Sequence, residues 1–333
     1  MQRSIFVRAL WWKEYRQTRV LLWLMILVGF FSTAYLHMRD FWFGSQQVLE
    51  RQLEYLAKTQ ESNWLLLTDY GGFLLLLVLG GFLLSLWQLG HDRRNQVSEQ
   101  TFALPYSRAV IYVTKWMVGA AYIVLVVTVS MALDILVLKL SQAGAYVHII
   151  DFASRGFHII FVTVATYTFT LFIGSFTGSW TSQAAFSIIS LYLPEFFRLM
   201  LSNLMYVLMI RPEYQELRMR GTFWDKLNVM NWVLHEGGHY PYAFVGIVSL
   251  LLFIAGTVLF SRNPLENNGK LVLFPMLEKV FIAGFVLCSA LLCGSLLKGA
   301  VFSGRIGYAV GVVVGTVLGY IIIRTLTRMR IRI

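Results

Sequence analysis

The sequence predicts an all-α polytopic membrane protein with about eight transmembrane helices. Three observations carry that prediction. Apolar residues make up 57% of the 333 residues and charged residues only 14%, whereas soluble domains hold about 25% charged residues. Runs of about 20 apolar residues, each long enough to cross a bilayer, recur along the whole length. The Arg and Lys behind the net charge of +11 cluster at the ends of those runs. Orientation and anionic headgroups explain such basic clusters better than nucleic acid does, so no nucleic-acid partner is expected.

Residues 1–19 mix five Arg and Lys with Trp11, Trp12 and Tyr15. That mixture suits the headgroup layer, because aromatic rings and cations both settle there. The helical stripe is imperfect, since Arg3, Glu14 and Gln17 intrude on the Phe6/Leu10 face. No short apolar run with a small-residue cleavage site follows Met1, so this segment is expected to be retained.

Span 1 is expected at about 20–36 and span 2 at about 64–89. Between them Leu49, Leu53 and Leu56 fall at i, i+4 and i+7, which predicts a short amphipathic helix. Span 3 is expected at about 110–137 and span 4 at about 157–176. An uncharged link, Thr177 to Gln183, leads into span 5 at about 184–210, which contains Pro194, Glu195 and Arg198. Residues 211–240 form the longest polar connection, with Trp224 and Trp232 spaced like interfacial anchors. Span 6 follows at about 241–260, a polar turn region at 261–275, then spans 7 and 8 at about 276–297 and 303–324. With the N-terminus inside, cytoplasmic segments collect 16 of the 28 Arg and Lys, and an even number of spans places both termini in the cytoplasm.

The stretch that organises the chain is the polar, net-basic island 91–115, HDRRNQVSEQTFALPYSRAVIYVTK. Val97 and Phe102 can ride on a short helix that Pro105 must end, because proline has no N–H and clashes with the preceding turn. Ser107 can cap the helix that starts next. Local physics alone also allows an ordinary basic loop that only sets topology.

An acidic residue, then L-P-x-S-R, then a helix opening with lysine resembles the first cytoplasmic loop of ABC-2-type transporter permeases. The matching positions are Glu99, Leu104, Pro105, Ser107, Arg108 and Lys115. In that family the loop is a coupling helix that docks into a cleft of a separate ATPase subunit. The resemblance therefore implies an ATPase contact at Glu99, Phe102, Leu104, Pro105, Ser107 and Arg108. It also identifies residues 1–19 with the family's N-terminal elbow helix, residues 20–260 with its six-span core, and the 211–240 connection with its short re-entrant helices on the outer face. Arg262-x-Pro264-x-Glu266-x-x-Gly269, followed by two extra spans, resembles the Ytr-type permeases of Gram-positive bacteria. The whole chain, 1–333, then reads as one transmembrane permease domain in the bacterial plasma membrane.

Taken together, the resemblance implies the membrane-spanning subunit of an ATP-driven transporter, expected to export a peptide, antibiotic or lipid-like substrate. ABC ATPase subunits, a second permease chain (identical or related) and membrane lipid would be its partners. No G-x-x-x-x-G-K-[ST] loop occurs in the sequence, so this chain is expected to hold no cofactor and to have no ATPase site of its own. ATP and Mg would sit on the partner.

Five further constellations stand out. Gly307, Gly311, Gly315 and Gly319 put one glycine every four residues on one face of span 8, a packing seam either within the chain or between subunits. Glu195 and Arg198 lie three apart in the middle of span 5. Alone in hydrocarbon each would cost at least about 2.5–3.5 kcal/mol, so they should pair or line a wet transport cavity. Asp134 and His158 are placed near the outer ends of spans 3 and 4, where both could snorkel to water. His235-Glu236-Gly237-Gly238-His239 formally matches the zinc-protease motif H-E-x-x-H, which needs both imidazoles on one helix face. Two glycines between the histidines disfavour that helix, and a Gly-rich turn is the plainer reading. Cys288 and Cys293 fit neither a disulfide framework nor a metal knuckle, and no metal site is expected. An intramembrane zinc protease and a non-transporting scaffold or sensor subunit remain as alternatives.

Overall fold

The computed structural model describes residues 8–58, 70–94, 105–147, 149–208, 226–234, 240–267, 269–300 and 304–328. The regular secondary structure of these residues is helical apart from one isolated bridge between Thr177 and Val272. Eight helices are long and apolar enough to cross a membrane, in the order the sequence predicts. The chain is a multi-pass, all-α membrane protein.

Span 1 is α1 (Arg8–Ser32), continued after a break at Thr33 by α2 (Ala34–Phe41). The boundary expected between an elbow at 1–19 and a span at 20–36 falls inside α1, so the described part of the elbow is the first turns of the span's own helix. Nothing at residues 19–20 can end a helix: no glycine, proline or capping side chain occurs there. Helix α3 (Gln46–Lys58) is the predicted amphipathic segment. Helix α4 (Tyr70–Ser85) passes into a π-helical turn, Leu86–His91, and a short turn, Asp92–Arg94. Span 3 is α5 (Arg108–Lys139), whose first turn Ser107 caps by accepting from the Val110 N–H at 3.3 Å.

Span 4, α6 (Ile149–Phe176), begins earlier than the sequence implies. Asp151 in its first turn favours that start, because a carboxylate complements the positive end of the helix. Span 5, α7 (Trp180–Val207), runs unbroken through Pro194. Helix α8 (Val229–Val233) is short. Spans 6, 7 and 8 are α9 (Tyr242–Ser261), α10 (Pro275–Ala300) and α11 (Arg305–Arg328).

The chain divides into two compact units, Met1–Gln88 with Pro105–Leu171, and Leu89–Leu104 with Phe172–Ile333. In the first, α1 packs on α4 and α5, with Phe73, Leu77, Leu84, Ile123 and Val126 in the core. The buried stripe of α1 is Leu10, Glu14, Thr18, Leu22, Met25 and Gly29. Glu14, which looked like an intrusion on an interfacial face, therefore lies on the face that packs. In the second unit α10 and α11 form a tight antiparallel hairpin, and α7 packs on α10.

Candidate functional site

The polar island enters the second unit at its first described residues. Arg93 is buried and its Nη1 donates to the Thr177 carbonyl oxygen. Burial pushes its guanidinium down to about 10, which leaves it cationic at neutral pH. Thr177 belongs to the uncharged link, and that link is itself stitched to the connection between spans 6 and 7. The Gly269 N–H donates to the Gly178 carbonyl at 2.9 Å, and the Leu273 N–H to Phe176, also at 2.9 Å. Gly269 turns the chain there with φ 88°, a left-handed conformation that glycine adopts without steric cost.

Alternating crossings of the eight helices would put 91–94, 177–179 and 269–274 on one side of a membrane. Their contacts within this unit agree with that topology. At the opposite ends, Arg305 Nε donates to the Val207 carbonyl oxygen at 3.2 Å, and Lys298 Nζ lies 4.0 Å from the Tyr206 ring centre.

The island leaves through the first unit. Pro105 and Ser107 are exposed, and Arg108 is half-buried in the first turn of α5. A cation at a helix N-terminus opposes the macrodipole, so Arg108 is poorly placed to stabilise its own helix. Of the residues expected to meet an ATPase, Glu99, Phe102 and Leu104 lie outside the described residues. Replacing Ser107 by alanine should cost about 1 kcal/mol in the first turn of α5. Hydrogen exchange of the amides at 108–111 should rise in that variant, and Ser107→Asp should keep them protected.

Seven residues after Arg108, Lys115 is buried to 1% exposure. Its Nζ donates to Glu14 Oε1 at 2.8 Å and to the Gln88 carbonyl oxygen, in the π-helical turn, at 2.9 Å. Gln88 answers by donating its Nε2 to the Lys115 carbonyl at 3.0 Å. Tyr167 of α6 donates its hydroxyl to Gln88 Oε1 at 2.6 Å, 3.1 Å from the Lys115 carbonyl. Four helices thus converge on one buried charge. The sequence shows Lys115 as a motif position and Glu14 as a blemish on a stripe. The usable signal was the i, i+4, i+8 spacing of Leu10, Glu14 and Thr18, which puts Glu14 on a packing face.

A second buried cluster occupies the other end of this unit. Asp134 accepts from the Tyr70 hydroxyl at 2.7 Å and pairs with His37 Nδ1. The carboxylate is fully buried, so it does not snorkel; its charge is met by partners inside the bundle. His158 lies well inside α6 rather than at its start, and is half-buried.

In the second unit Arg198 Nε donates to both carboxylate oxygens of Glu195, at 3.0 and 3.1 Å. The pair is formed on α7, with the Glu195 side chain 40% exposed and that of Arg198 20%. Gly307, Gly311, Gly315 and Gly319 are buried on one face of α11. The last three turn toward α10, where a Cβ would lie within 3 Å of Ser289 or Cys293 atoms. Cys288 and Cys293 are free and half-buried in α10. His235, Glu236 and His239 lie outside the described residues.

No family model matches the chain, and no solved structure matches it. It is 23% identical over 244 residues to a protein of Bacillus subtilis (strain 168) described as "Probable ABC transporter permease YtrD". That similarity covers 71% of this chain and 72% of the relative.

Proposed function

We propose that this chain is the membrane-spanning permease subunit of an ABC transporter, of the ABC-2 type, driven by separate ATPase subunits. The observation that carries the reading is the 91–108 island, a polar segment between two spans with a buried, hydrogen-bonded cation at each side, Arg93 at its start and Lys115 seven residues beyond its end. A segment held this way can pass a push from an ATPase into the membrane helices. The distant similarity to an ABC transporter permease supports the subunit class.

Glu99, Phe102, Leu104, Pro105, Ser107 and Arg108 form the ATPase contact in this reading. Arg108 offers a fixed fork of donors to a carboxylate or carbonyl group on the partner. ATP and Mg sit on the partner, and no cofactor sits here. Both termini face the cytoplasm of a bacterial plasma membrane. Two permeases, identical or related, pair over two ATPases and export a peptide, antibiotic or lipid-like substrate. Glu195 and Arg198 contribute to the transport cavity: a part-exposed ion pair in the middle of a span needs a wet surface or a protein neighbour.

The test compares wild type with a Glu99→Ala/Arg108→Ala double variant, captured from detergent-solubilised membrane and analysed by mass spectrometry. Recovery of a Walker-motif ATPase should fall about tenfold or more in the variant, equivalent to about 1.4 kcal/mol of binding. Full retention of the ATPase by the variant would overturn the assigned contact.

A further inference from the structure

We infer that Lys115 is a positioning residue for energy coupling, which ties spans 2 and 3 into one lever at the neck of the polar island. The inference rests on the reading of that island as the ATPase contact. Two of the bonds Lys115 makes have different consequences. The bond to Glu14 balances its charge, which a buried ammonium requires. The bond to the Gln88 carbonyl crosses to the π-helical turn that ends span 2. Charge balance alone would need only the first.

Around the second bond the structure adds three reinforcements. Gln88 Nε2 donates back to the Lys115 carbonyl, so the two spans exchange bonds in both directions. The Tyr167 hydroxyl fixes Gln88 Oε1 and so sets which way the amide points. Gly119, one turn beyond Lys115, leaves the space that Tyr167 occupies: a Cβ there would sit 2.2 Å from the tyrosine oxygen. Every partner is buried, so the exchange is strong and geometrically unique. A π-turn is a weak point in a helix, and π-turns recur at functional positions. Here the weak point is pinned to the neighbouring span directly before the island begins. A force on the island then moves both span ends together instead of sliding one past the other.

The test separates this tie from a merely structural ion pair. Lys115→Met with Glu14→Met removes both charges and leaves similar volumes, a change that commonly preserves folding, but the Gln88 carbonyl then loses its bond across to span 3. Nitroxide labels replace Trp87 in span 2 and Ala121 in span 3, both exposed, with Cys288 and Cys293 changed to serine. The complex with its ATPase is measured by pulsed electron paramagnetic resonance in ADP and in ATP with vanadate. Wild type should give one narrow distance, the same in both states. The double variant should still recover the ATPase, yet give a broadened distance that shifts between the states.

Tyr167→Phe, which removes the hydroxyl's contacts with Gln88 and the Lys115 carbonyl and leaves both charges, should broaden the distance to a smaller extent. It keeps the test open if the double variant fails to fold. An unchanged narrow distance in the variants, or a wild-type distance that itself moves with nucleotide, would overturn the lever. Failure of wild type to recover any ATPase would overturn the permease reading instead.

Discussion

Gly311→Leu is expected to force spans 7 and 8 apart. A Cβ at Gly311 would lie 2.4 Å from the Cys293 carbonyl oxygen, 2.7 Å from the Gly294 Cα and 2.8 Å from the Cys293 carbonyl carbon. All three are backbone atoms, and no rotamer change can move them aside. Overfilling a packed interior costs about 1–3 kcal/mol when side chains can yield, and more when backbone must shift. We therefore expect about 3 kcal/mol or more for leucine. Lipid does not squeeze helices together as water does, so close backbone approach is itself what holds such a pair.

The neighbouring positions make a graded series. At Gly315 a Cβ meets the Ser289 carbonyl oxygen at 2.4 Å, whereas at Gly319 it meets the Ser289 side chain at 2.7 Å. Gly315→Ala should thus destabilise by about 1–3 kcal/mol, and Gly319→Ala by less. Thermal unfolding in detergent micelles checks the order, with cross-linking between α10 and α11 as a local readout.

Glu14→Leu should be of similar severity in the first unit. It removes the carboxylate that pairs with the Lys115 ammonium, 2% exposed at its side chain, and leaves the Gln88 carbonyl oxygen at 2.9 Å. Removing one member of a buried ion pair costs about 3–5 kcal/mol, because the survivor keeps its desolvation penalty. Removing both should restore most of that stability, since an apolar pair of similar volume pays no desolvation. A double-mutant cycle with Glu14→Leu and Lys115→Met, followed by thermal unfolding, should give a coupling of about 3 kcal/mol. Additive effects would show that the charges are met elsewhere.

How far the sequence carries is visible in these same residues. Eight spans were legible because twenty apolar residues in a row have few other uses. Ser107 was legible because a cap lies within three residues of what it caps. The Glu195–Arg198 pair was legible because i and i+3 share a helix face. The clusters at Lys115 and Asp134 were not, for a physical reason: Glu14 and Lys115 are 101 positions apart, and His37 and Asp134 are 97 apart. A lone buried charge announces that a partner exists without saying where.

At the N-terminus the sequence gives no signal for where one helix would end and the next begin, and α1 runs from Arg8 to Ser32 without a break at residues 19–20. The stitching of 177–179 to 262–274 uses backbone groups, which every residue has, so no side-chain pattern encodes it. Glu99, Phe102 and Leu104 stay readable from the sequence alone, being outside the described residues.

The measurement that bears most directly on the account is capture of the wild-type chain from solubilised native membrane, followed by mass spectrometry. The account predicts a separate polypeptide with a Walker-motif nucleotide site, recovered in roughly equal amount with this chain and hydrolysing ATP in the captured complex. Absence of any such ATPase, under conditions that keep a known transporter complex intact, would contradict it.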